Sequence, residues 1–170
     1  MPNPLLLSSP RRPAPFLVSR RQVLLAGSAV CFSGESLAAP ATLPTAVSLP
    51  DELAQALKKN NPLLVMVSLE GCPFCKIVRE NYLAPMREEQ GLSVVQVDMR
   101  SSRSMKDFKG ATLSHDEWIR GWRIHVAPSV LFFGRGGVEI AERLVGGYIP
   151  DFYGAYLDDR LRLARAVVSA

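Results

Sequence analysis

The apolar positions of the chain fall into short runs separated by turn signals. Leu63 to Leu69 is an almost unbroken apolar run of seven residues with two valines, and it predicts a strand buried on both faces. Ahead of it, Ser48-Leu49-Pro50-Asp51-Glu52 reads as a helix start, with Ser48 as N-cap and acids in the first turn. Leu53, Ala54 and Leu57 give that helix an apolar stripe, and Asn60-Asn61-Pro62 ends it. Residues 73 to about 89 carry Ile77, Val78, Tyr82 and Leu83 at helical spacing, with Pro85 placed to kink or shorten the helix. Leu92 to Met99 predicts a second strand. Residues 100 to 113 are polar and basic without a clear period, and read as a loop or a short helix. Ser114-His115-Asp116-Glu117 is a capping-box pattern opening a helix through Trp122. In that helix Trp118 and Trp122 share a face suited to packing on a sheet. Val130 to Phe133 and Val138 to Val145 form a hairpin across Gly134-Arg135-Gly136-Gly137, and Gly146-Gly147 stops it. A last amphipathic helix runs from Pro150 to about Val168.

The predicted order is α-β-α-β-α-β-β-α. Strands alternating with helices imply a parallel portion with right-handed crossovers, and the late hairpin adds antiparallel strands. The fold class is therefore α/β: a central mixed sheet with helices on both faces. No internal repeat is present.

The first 50 residues break this pattern, because they hold eight of the 13 prolines. Inside them, Ser19-Arg20-Arg21-Gln22-Val23-Leu24-Leu25 opens an apolar run that ends near Phe32. At about a dozen residues it is too short to span a bilayer comfortably. Ser36-Leu37-Ala38 supplies small residues for cleavage, so residues 1–38 read as a secretory signal and the mature protein as periplasmic. Ser-Arg-Arg-x-x-Leu resembles the twin-arginine export signal, with Val23 and Leu25 departing from its usual residues; a general secretory signal fits as well. Residues 39–47 read as a linker and residues 48–170 as one domain. Charge follows the same division. Of 20 basic and 16 acidic residues, four and one fall in residues 1–38, so the remainder holds 16 and 15. A domain that grips nucleic acid would keep its excess in the folded part, and this one does not.

Beyond the leader, which holds Cys31, two cysteines remain, in Gly71-Cys72-Pro73-Phe74-Cys75-Lys76. They follow the buried strand directly and sit in the first turn of the next helix. Cysteines at i and i+3 face one side, close enough to pair. The helix terminus offers unpaired N–H groups, those of Phe74 and Cys75, and partial positive charge, which favour a thiolate on Cys72. Pro73 fits the first helical position, where its missing N–H costs little. The predicted chemistry is thiol–disulfide exchange: Cys72 attacks a substrate disulfide, and the more buried Cys75 resolves the mixed disulfide. A purely structural bridge would close too small a loop to stabilise much. A metal site would need His115 and His125 to converge on both cysteines.

The motif after Leu63-Leu64-Val65-Met66-Val67-Ser68-Leu69, Ala127-Pro128 before the late hairpin, and Gly146-Gly147 after it together resemble the thioredoxin superfamily over residues 48–168. The nearest flavour is that of exported bacterial thioredoxin-like proteins, including the sulfur-oxidation type. The Cys-Pro-aromatic-Cys centre is also similar to glutaredoxin, but no glutathione-binding pattern accompanies it. The resemblance implies a thioredoxin fold and a redox-active Cys72–Cys75 disulfide, with no further cofactor and no metal. It also implies that Pro128 is a cis-proline facing the cysteines. Ala127, Pro128, Pro73 and the exposed ring of Phe74 would then contact substrate, with the Ala127 backbone free to pair with an extended segment. The chain departs from the family in one respect: many members carry a buried acid six residues before the first cysteine, where this sequence has Met66, leaving Glu70 as a weak substitute for moving the Cys75 proton. The polar stretch from Arg100 exceeds the usual short connection and suits partner specificity.

Three functions follow. The first is a periplasmic reductase of protein or small-thiol disulfides, fed by a membrane thiol donor and monomeric. The second is an oxidase or isomerase of exported proteins. The third is a redox-silent binding module, against which the intact cysteine pair argues.

Overall fold

The computed structural model describes residues 42–147 and 150–170. The expected leader, residues 1–38, lies outside the described residues. Four strands form the central sheet in the order β2-β1-β5-β6: β1 (Leu63–Ser68), β2 (Ser93–Asp98), β5 (Ser129–Gly134) and β6 (Val138–Val145). β1 runs parallel to β2 and antiparallel to β5, and β5 and β6 are the antiparallel hairpin. Every residue of β1 and β5 is buried, as strands covered on both faces must be.

The two-residue period of the strands divides the core in two. Leu64, Met66, Val94, Val130 and Phe132 point to one face. There they meet Val78 of α2 (Pro73–Val78), Ala84 of α3 (Ala84–Gln90), and Tyr153, Leu157 and Leu161 of α5 (Pro150–Ser169). Leu63, Val65, Val67, Val95, Val97, Leu131 and Phe133 point to the other face. They meet Leu49, Leu53 and Ala56 of α1 (Leu49–Lys58) and Trp118 and Ile119 of α4 (His115–Gly121). The Trp118 and Trp122 rings both contact Phe133, with centroids 6.1 and 5.0 Å away.

Several local expectations are revised. Ser48 precedes α1 but makes no side-chain cap; it bridges instead to Lys106. Ala54 is exposed, and Ala56 takes its expected place on the buried face. Part of the stretch read as a linker is pinned to β2: the Ala46 amide donates to the Gln96 carbonyl, and the Gln96 amide to that of Pro44, both at 2.8 Å. Residues 100–113 are neither plain loop nor helix. They contain a small antiparallel pair, β3 (Ser104–Lys106) and β4 (Thr112–Ser114), with Met105 buried against the second core. Between α2 and α3 lies one π turn, Arg79–Leu83, where the Ala84 amide reaches the Arg79 carbonyl. The wider turn makes room for Pro85, whose ring would clash with a carbonyl four residues back in a regular helix. The capping box on α4 is present: the Glu117 amide donates to Ser114 Oγ, and the Ser114 amide to the Glu117 carboxylate.

Candidate active site

β1 delivers the chain to the C-terminal edge of the sheet, where it must turn into α2 at once. Gly71 makes this possible with φ of 73°, a conformation that costs other residues, and the Cys72 amide closes the turn on the Leu69 carbonyl at 3.2 Å. Cys72 becomes the N-cap of α2 with extended backbone, and Pro73 occupies the first turn, where no N–H is required.

The side chain of Cys72 acts as the cap. Its Sγ accepts from the Cys75 amide at 3.1 Å, so the helix terminus is satisfied by sulfur. Of the two amides expected to donate there, the structure shows that of Cys75. Cys72 is half-buried, whereas Cys75 is 1 % exposed and packs in the first core. Both are free thiols in this state.

Across from them, the Ala127–Pro128 peptide is cis. Ala127 presents its carbonyl oxygen 3.9 Å from Cys72 Sγ. The turn is braced by Ser129, whose buried hydroxyl donates to the Val126 carbonyl at 2.7 Å, and by the Gly146 amide, which donates to the Pro128 carbonyl at 2.7 Å. Gly147 lies against Pro128, Val78 and Phe74 so closely that a Cβ there would stand 3.2, 3.3 and 3.4 Å from them. Cys72, Cys75, Pro73, Phe74, Ala127 and Pro128 are therefore brought to one place. Phe74, two residues after Cys72, and Val126, next to Ala127, are exposed apolar side chains, each 43 % accessible.

Neither histidine joins the cysteines. His115 is wholly buried in the other half of the molecule; its Nδ1 accepts from the Asp98 amide at 3.0 Å, which leaves Nε2–H to donate to the Ala46 carbonyl at 3.0 Å. His125 is exposed.

Burial pushes the Cys75 thiol up from 9.0 to about 11, and the neighbouring Cys72 thiol adds to the effect. Hydrogen bonds from the Leu69 backbone and the Ser68 hydroxyl oppose it. Met66, at the position where an acid was sought, is a core residue on the same side. Glu70 is exposed and lines the outer groove. Besides Cys72, the groups that hydrogen-bond Cys75 are thus Ser68 and the Leu69 backbone, to which the sequence pattern assigns only a place in the buried strand. Tyr153 also stands near: its phenol is pushed above its ordinary range by burial, with Tyr82 and Cys75 adding.

An open groove of about 1110 Å³ begins at Cys72. It runs between the start of α2 and the segment after β2, past Lys76, Arg79, Arg100 and Arg103.

Residues 49–160 match the family model of the thioredoxin-like domain. The chain belongs to that family. Family and dithiol together make this thioredoxin-like protein a thiol–disulfide oxidoreductase. Among solved structures it is similar to the DsbH oxidoreductase, with 17% identity, coverage of 77% of this chain and 96% of that one, and a TM-score of 0.49. It is also similar to the reduced periplasmic thioredoxin SoxS of Paracoccus pantotrophus, with 20% identity, 61% and 98% coverage, and a TM-score of 0.40. Thioredoxin O2 of Arabidopsis thaliana, in its oxidized state, shares 16% identity over 68% of this chain and 95% of its own, with a TM-score of 0.44. A sequence comparison with curated proteins finds no match.

Proposed function

We propose that this chain is an exported disulfide reductase that works in the periplasm on disulfides of exported proteins or thiol carriers and is recharged by a membrane thiol donor. The observation that carries the reading is the asymmetry of the two sulfurs. Cys72 caps a helix at the surface, while Cys75 waits behind it, buried and protonated at neutral pH. An attacking thiol must be reachable, and a resolving thiol is best kept from solvent.

Cys72, as thiolate, attacks one sulfur of the substrate disulfide. The S–S bond breaks, the departing sulfur takes up a proton, and a mixed disulfide joins Cys72 to the other sulfur. Cys75 then loses its proton and attacks Cys72 Sγ, releasing the second substrate thiol. Two electrons and two protons pass to the substrate, and the Cys72–Cys75 disulfide remains for an external dithiol to reduce. In the mixed disulfide, an extended substrate segment pairs with the Ala127 backbone, Pro128 and Pro73 wall the sulfur, and Phe74 contacts apolar substrate atoms. The resemblance of residues 1–38 to an export signal supports the location.

Insulin-disulfide reduction tests the activity: Cys72→Ser abolishes turnover, and equal turnover in variant and parent overturns the assignment. The reduction potential tests the direction. A value near about −270 mV supports a reductase, and one near about −120 mV makes the chain an oxidant instead. Unprocessed protein found wholly in the cytoplasm overturns the export reading.

A further inference from the structure

Two different surfaces meet at Cys72. One includes Phe74 and Val126, apolar, exposed and outside the groove lining. On the other the groove opens, and its charged lining is four cations, Lys76, Arg79, Arg100 and Arg103, against two acids, Glu70 and Asp98. Asp98 Oδ1 accepts from Gln96 Nε2 at 2.6 Å, which fixes the carboxylate but leaves its charge, so the lining keeps an excess of two positive charges. Arg79 donates to Gln96 Oε1 at 3.0 Å, which holds its guanidinium in place without neutralising it. Among the described residues, Lys76, Arg100 and Arg103 form no ion pair.

The wall carrying Arg100 and Arg103 is built rather than loose. The Met99 amide donates to the Ser68 carbonyl at 2.8 Å, tying the wall to the strand that carries the cysteines. Arg100 has φ of 59°, a conformation uncommon outside glycine, and its amide is held by Asp116 Oδ1 at 3.0 Å. The Asp116 and His115 amides donate back to the carbonyls of Ser101 and Arg103, at 3.2 and 2.9 Å. The first turn of α4 therefore fixes the segment that places Arg100 and Arg103 in the groove that Cys72 also lines.

We propose that this groove selects substrates by charge, seating an acidic stretch of polypeptide that flanks the disulfide to be reduced. The inference rests on the reductase reading above and names the substrate class. A groove with a net positive lining that reaches a reactive atom concentrates negative charge there and speeds encounter. The groove is open to solvent and not an enclosed pocket, which suits an extended run of residues better than a small ligand held on all sides.

Three synthetic peptides test it, each with one intramolecular disulfide flanked by Glu, Gln or Lys. The full-length chain should reduce the Glu peptide with kcat/KM about tenfold above the Gln peptide, and the Lys peptide more slowly still. Salt of about 0.5 M should largely erase the order, because its screening length is only a few ångströms. The R100E/R103E variant should reverse the order, and R100Q/R103Q should flatten it. Lys58→Glu, at the opposite end of β1, should preserve it. Equal rates for the three peptides at low salt, or an order untouched in R100Q/R103Q, overturns the proposal; that milder variant and the salt series on the parent decide even where charge reversal prevents folding. A Glu peptide with both cysteines replaced by serine, followed by fluorescence anisotropy, separates the two readings. Charge-ordered binding by a chain without turnover upholds the groove and sinks the reductase. Turnover without charge order does the reverse.

Discussion

Cys75 shows what hiding a single reactive side chain entails. Its thiol sits at about 11 and is protonated at neutral pH, yet in the proposed mechanism it must become a thiolate to resolve the mixed disulfide. Once Cys72 is tied to substrate, its upward push on Cys75 is gone. Burial then stands against the Leu69 and Ser68 hydrogen bonds. Ser68, 2 % exposed at the end of β1, therefore holds the resolving sulfur in readiness. Ser68→Ala should slow resolution about fivefold, the worth of roughly 1 kcal/mol for one hydrogen bond, and leave formation of the mixed disulfide unchanged. Rapid-quench trapping separates the two steps, and resolution should speed up as pH rises above neutral, because burial still disfavours the Cys75 thiolate. Tyr153 presents the opposite case, because its buried hydroxyl has no hydrogen-bond partner among the described residues. Tyr153→Phe keeps the packing against Tyr82, whose ring centroid is 5.1 Å away, and removes that uncompensated group. Urea titration should find the variant as stable as the parent or more so, by up to about 1 kcal/mol. Both cysteines could be found in the sequence, because a C-x-x-C after a buried strand is a local pattern. Ser68 and Tyr153 could not. One reads as a polar interruption in an apolar run and the other as one aromatic in a helix, and only the folded sheet sets both beside sulfur.

Among the secondary-structure elements, legibility follows length and periodicity. β1, β5 and β6 and the helices around them announce themselves because their apolar positions repeat over six residues or more. β3 and β4 have three residues each, and Met105 is the one buried apolar side chain of the pair, so no period exists to be read. What fixes this excursion lies elsewhere in the chain. Phe108 leans onto the β5–β6 turn, with its ring 4.6 Å from that of Phe133, and Gly137 leaves space for it. A Cβ on Gly137 would fall 2.4 Å from Phe108 Cγ, and φ of 69° already disfavours any side chain there. Gly137→Ala should therefore cost about 2 kcal/mol or more, measured by urea unfolding. Gly136→Ala, at φ of 75° but with only a distant Val138 methyl nearby, should cost about 1 kcal/mol, from backbone strain alone. Equal losses at the two glycines would show that packing of Phe108 contributes nothing to the hairpin.

The whole molecule couples its redox chemistry to its stability through the same buried sulfur. The two-sided core is what takes Cys75 out of water, and that core favours the protonated thiol over the thiolate. The sign of the consequence is determined. A thiol whose folded pKa, about 11, lies above its unfolded value of 9.0 holds its proton longer in the native state. The stabilisation it brings is full below pH 9.0 and is lost as pH rises through about 11. The loss amounts to the order of 2–3 kcal/mol across that window, at about 1.4 kcal/mol for each unit of difference. Lysines and tyrosines also titrate there, so the measured quantity must be a difference. Urea unfolding of the reduced chain and of Cys75→Ala between pH 8 and 11 should give two stability curves that converge as pH rises. The alanine variant starts lower by the packing lost with the sulfur, and it lacks the thiol-linked fall. Oxidation to the Cys72–Cys75 disulfide should remove that fall as well, since no thiol is left to ionise. Parallel curves for parent and variant would mean that the core does not hold the Cys75 proton, and the division of labour between the two sulfurs would lose its physical basis.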